Sequence, residues 1–103
     1  MKIIEWIRSR YKLSYREARG SFLVFVFFSL AFTKFMSNEE RWHVLAAKIE
    51  GAVDEKLIDV TERDALKAYS MLKIFKRVDA DLALKSDQTV LYRLMEEVGF
   101  TYV

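Results

Sequence analysis

Cysteine and proline are both missing from this chain, and glycine occurs only three times in 103 residues. The first absence excludes disulfides, thiolate metal sites and cysteine nucleophiles. The second leaves almost nothing to interrupt long helices. Histidine occurs once, at His43, and a lone imidazole without cysteine does not make a usual zinc site. Phosphate loops, nucleophile elbows and calcium loops are also missing. Asp54–Glu55 and Asp79/Asp81 are carboxylates at i+1 and i+2, which do not face each other on a helix. They read as solvated charge, and His43 as a helix-surface or core-edge residue. The expectation is a non-enzymatic protein with no cofactor, no bound metal and no small-molecule substrate.

Apolar residues, by contrast, are plentiful. They make up 52% of the chain, and aromatics alone 15%, spread along its whole length, which argues against disorder. Charge is uneven. Residues 1–36 hold seven basic and two acidic side chains, a net +5, while residues 37–103 hold ten and thirteen, a net −3. A basic end, an apolar run and then an acidic globule is the order of a membrane-anchored protein.

Residues 1–13 set Ile3, Ile4, Ile7 and Tyr11 at helical spacing among Lys2, Arg8, Arg10 and Lys12. Trp6, Tyr11 and Tyr15 have apolar bodies and polar tips that settle at a bilayer interface. The basic residues beside them would be drawn to an anionic lipid surface. Ser14-x-x-Glu17 is a capping box and predicts a helix from about Tyr15.

That helix should run to about Met36. The fourteen residues between Arg19 and Lys34 carry no charge, and from Phe22 to Phe28 seven apolar residues stand in unbroken succession. A helix apolar all round must be buried, in lipid or inside a bundle. Gly20 to Asn38 is nineteen residues, about 28 Å of helix, close to a hydrocarbon thickness of about 30 Å. Lys34 would snorkel to the headgroups. The membrane-interface set is therefore Trp6, Arg8, Arg10, Tyr11, Lys12, Tyr15, Arg16, Arg19 and Lys34. Ser29, Thr33 and Ser37 recur every four residues, and Ser29 and Thr33 are expected to face a partner helix. A cleavable leader ending at Ser29-Leu30-Ala31 fits less well, because twenty residues precede the apolar core.

After Met36 the texture becomes amphipathic. Ser37-x-x-Glu40 offers a second capping box, ahead of Trp42, Leu45, Ile49, Ala52, Val53, Leu57 and Val60, with a bend or close contact at Gly51. Thr61-x-x-Asp64 predicts the start of a helix with Ala65, Tyr69, Leu72, Phe75, Val78 and Leu82 inward. A last helix should begin near Ser86 or Asp87, bury Val90, Leu91, Leu94, Met95 and Val98, and end at Gly99.

Residues 79–94 loosely resemble a helix-turn-helix, with Ala80 at the small-residue position and Gln88, Thr89, Val90, Tyr92 and Arg93 opening a recognition helix. Asp79 and Lys85 fall where apolar residues are usual. Residues 61–103 balance seven basic against seven acidic groups, so the positive surface that phosphates need is missing. The first third, with its Trp and basic residues, Ser14-x-Arg16-Glu17-x-Arg19-Gly20 and the apolar run, resembles the anchors of some bacterial membrane-tethered helix-hairpin-helix proteins. The Gly-rich hairpins of that family are missing from residues 37–103, so its nucleic-acid activity is not implied.

The fold class expected is all-α: an amphipathic basic helix (1–13), one long Phe-rich hydrophobic helix forming a single membrane span (14–37), and a small acidic three-helix bundle (38–103). The function expected is a membrane-anchored interaction or scaffold protein with its N-terminus in the cytoplasm, working through protein partners or self-association. The alternative is a soluble cytoplasmic homodimer, a binding or inhibitor protein of phage or accessory type, with the Phe-rich helix as its core. DNA binding is a minor alternative.

Overall fold

The computed structural model describes residues 14–100. They form five helices and no strand: α1 (Tyr15–Phe32), α2 (Asn38–Asp54), α3 (Val60–Phe75), α4 (Ala80–Lys85) and α5 (Gln88–Glu97). The helix expected over residues 1–13 lies outside the described residues, and with it Trp6, Arg8, Arg10, Tyr11 and Lys12.

Helix α1 starts where its cap predicts. The Ser14 hydroxyl accepts from the Glu17 amide at 3.1 Å and donates to the Glu17 carboxylate at 3.0 Å. It stops at Phe32, four residues short of the expected end. The Thr33 amide and hydroxyl both donate to the Ser29 carbonyl, and Arg41 takes the Leu30 carbonyl at 2.6 Å. Orphan carbonyls at a helix end are stabilised by such a cation, which also complements the negative end of the helix dipole. The span expected over residues 14–37 is not there: no described helix is long and apolar enough to cross a membrane.

Helix α1 is also not the centre of the fold. That place belongs to α3, which packs against each of the other four helices. Being surrounded, α3 buries a broad surface that includes Ala65, Leu66, Ala68, Ser70, Met71 and Ile74. Leu72, expected inward, is exposed. Helix α1 contributes only one face to the main core, through Ala18, Phe22, Leu23, Val26 and Phe27, which meet Ile49, Leu57, Leu66 and Leu94. Each buried Val, Leu, Ile or Phe side chain there contributes about 1.5–3 kcal/mol. Leu30, Leu45 and Ile74 form a smaller cluster beside Trp42 and Phe75.

Four helices come after α1 rather than three. The chain leaves α3 through Lys76, which sits in the left-handed region at φ 63°, and α4 is a separate short helix that buries none of its residues. Helix α3 itself is capped two residues before the expected position, at Asp59 rather than Thr61. Asp59 accepts from the Glu62 amide, and Glu62 reaches back to the Asp59 amide, completing a capping box. Helix α2 continues through Gly51 to Asp54, and a Cβ at Gly51 would meet nothing within 4 Å, so no close contact is made there.

Helices α2 and α5 finish in the same way. Phe100 and Gly99 donate to the Met95 and Glu96 carbonyls, and Leu57 and Lys56 donate to those of Ala52 and Val53. Both are Schellman turns, which need a left-handed residue at the first position beyond the cap. Gly99 fills it at φ 79° in one; Lys56 fills it at φ 62° in the other. A Cβ is strained there. Lys56→Gly is expected to stabilise the fold by about 0.5–1 kcal/mol, raising Tm by a few degrees. A calorimetric scan showing a lower Tm would contradict it.

Candidate interaction face on helix α1

The residues singled out from sequence are dispersed by the fold. Tyr15, Arg16 and Lys34 are exposed. Thr33 is half-buried; its hydroxyl accepts from Arg41 Nε at 3.2 Å, so it helps close the end of α1. Ser37 caps α2 by accepting from the Glu40 amide. The stripe of small hydroxyls is thus divided between two helix ends, with Ser29 half-buried on α1.

Arg19 departs furthest from expectation. Instead of meeting a lipid interface, it lies in a seam between α1, the α2–α3 turn, α3 and α5. Its guanidinium takes the Glu62 carboxylate through Nη2 at 2.5 Å and Nη1 at 3.2 Å. It takes Glu97 through Nε at 2.7 Å and Nη2 at 3.1 Å, and Nη1 also donates to the Leu57 carbonyl. The hydrogen bonds from Glu97 and then Glu62 hold the guanidinium above the usual arginine pKa. A planar fork matched to two carboxylates suits Arg and not Lys. Arg93 Nη2 stands 3.6 Å from Glu62, so two guanidiniums face two carboxylates and the cluster is a fastener with its charges matched.

A cleft of about 540 Å³ adjoins it, lined by Tyr15, Arg19, Leu57 and Glu62, and two more open elsewhere among the described residues. One, of about 720 Å³, lies between α3, α4 and α5 and is walled by Tyr69, Leu72, Leu91 and Met95. Burial raises the pKa of the Tyr69 phenol, and Lys73 Nζ stands 5.4 Å from that ring. The other, of about 350 Å³, is bordered by Trp42, Glu50, Arg63, Asp64 and Lys67, whose charges pair within it at 3.0 Å for Lys67–Glu50 and 3.2 Å for Arg63–Asp64. Among the described residues no group of three His, Asp or Glu could hold a metal ion, and His43 is exposed on α2. In the segment resembling a helix-turn-helix, α4 rests on α3 and buries no side chain, unlike a supporting helix of that motif.

The feature with the least internal explanation is the outward face of α1. Phe25 is 38% exposed, Phe28 46% and Phe32 70%, and Phe35, in the turn after the helix, 85%. Phe28 and Phe32 stack on each other with centroids 5.8 Å apart. Phe28 and Phe27 both meet Phe100 at the end of α5, at 5.2 and 5.1 Å. The buried side chains of α1 fall on the opposite face. No charged residue interrupts α1 between Gly20 and its end. The missed signal was the spacing: Ser21, Phe25, Phe28, Phe32 and Phe35 step by 4, 3, 4 and 3, but in a run where almost every residue is apolar that stripe does not stand out.

Comparison with family models, curated proteins and solved structures finds no match for this chain.

Proposed function

We propose that this small all-α protein is a non-enzymatic interaction module whose working surface is the outward face of α1. The observation that carries the reading is the line of Phe25, Phe28, Phe32 and Phe35, exposed on an uncharged stretch of helix. Contiguous exposed aromatic surface without charged gatekeepers marks a binding site on a folded domain. It replaces the membrane span in the account of why the helix is apolar all round: one half meets the chain's own core, the other a partner.

Washing membranes from expressing cells with alkaline carbonate tests this reading against integral anchoring. The full chain is expected in the supernatant. Retention in the pellet, with release only by detergent, would show that the apolar helix is embedded in lipid and would overturn it.

A further inference from the structure

We infer that the partner covering this face is a second copy of the same chain, paired through α1 in antiparallel orientation; this rests on the proposed binding role of that face. The spacing supports it first. Steps of 4, 3 and 4 from Ser21 through Phe25 and Phe28 to Phe32 make the narrow seam of a two-stranded coiled coil. Val24 and Ala31 border the seam, and neither residue carries a charge that would have to be desolvated.

Area is the second support. At their observed exposures the four phenyl groups offer roughly 500 Å² per copy, about 1,000 Å² over a pair. With the bordering Ser21, Val24 and Ala31 this reaches the lower range of specific interfaces, about 1,000–1,200 Å². A two-fold axis makes such a patch self-complementary.

The helix dipole selects the direction. A parallel pair would lay two α1 dipoles side by side in the same sense, which is unfavourable. An antiparallel pair stacks Phe25 on the second copy's Phe28 and Ser21 on its Phe32. The helix dipoles then oppose as well.

The test is the solution mass of the full chain, by sedimentation or light scattering at protein concentrations from about 1 to about 100 µM, for wild type and for Phe28→Asp with Phe32→Asp. Circular dichroism checks that the variant keeps its helices. Wild type is expected at twice 12.2 kDa, and the folded variant as a monomer with dimerisation weakened at least about 100-fold. A variant that remains dimeric overturns the inference, because another face then pairs. A wild-type monomer overturns it too, and two probes then decide the fate of the binding face. Binding of an apolar dye, or of phosphatidylglycerol vesicles, that the variant loses leaves the binding-face reading standing with a different occupant. Neither dye nor vesicle binding means the face is covered within its own chain, and both readings fall.

Direction is tested separately by Ser21→Cys, the sole thiol in such a chain. Antiparallel pairing holds the two thiols about 16 Å apart, so oxidation should give no linked dimer. Rapid disulfide formation would overturn the antiparallel order.

Discussion

Replacing Arg19 with alanine is expected to lower the unfolding free energy by about 3 kcal/mol, measured by urea titration with an unchanged slope. The guanidinium side chain is 18% exposed and that of Glu62 only 7%, so the deletion leaves a nearly buried carboxylate without its main counter-charge. Breaking a buried pair from one side costs about 3–5 kcal/mol. The low end applies because Glu62 keeps the Asp59 amide at 2.9 Å and Arg93 stands 3.6 Å away. The Leu57 carbonyl loses its side-chain donor in the same step. Arg19→Lys restores charge but not the double fork, so it should recover less than half of the loss. A change below about 1 kcal/mol for Arg19→Ala would mean the cluster is solvated and the ion pairs are ordinary surface pairs.

The second large effect divides α1 into its two faces. Phe27 is 7% exposed and meets Tyr69 edge-on at 5.7 Å and Phe100 at 5.1 Å. Phe27→Ala should cost about 3–5 kcal/mol through lost burial and the cavity left behind. Phe32, five residues on and 70% exposed, should cost less than about 0.5 kcal/mol in the isolated chain. Concentration separates the two further. The Phe27→Ala loss is set within one chain and should be independent of concentration. The Phe32→Ala loss should grow as protein is added, because it removes stabilisation that comes by mass action from pairing. Equal losses at both positions would show that α1 has no free face.

That division could not be read from the residues alone. Periodicity locates a face only where apolar and polar residues alternate around a helix, and from Phe22 to Phe28 they do not. Which half of α1 is buried depends on where α2, α3 and α5 lie. Local signals fared better. Ser14, Ser37, Asp87 and Gly99 act at the helix ends where their types predict, since a cap is made within a few residues of the chain. The same locality misled at Thr61, where Asp59 two residues earlier makes the stronger box. Lys56 and Lys76 hold left-handed positions that Gly or Asn would have announced, so the break between α3 and α4 was hidden. Arg19 belonged to a basic cluster until the fold brought Glu62 and Glu97 to it.

The Arg19–Glu97 pair joins residues 78 positions apart, and this sets a timetable for synthesis. At about 5–20 residues per second, some 4–16 s pass between the making of the two ends of that contact. From the making of Phe35 until α5 is complete, Phe27 and Phe28 lack Phe100 and the Phe-rich helix stands more open than in the finished fold. The hairpin of α2 and α3 needs only near neighbours and can form meanwhile. Each nascent chain therefore passes through a window in which its most adhesive segment is made but unsheltered. Neighbouring chains on one message are then the nearest surfaces available to it.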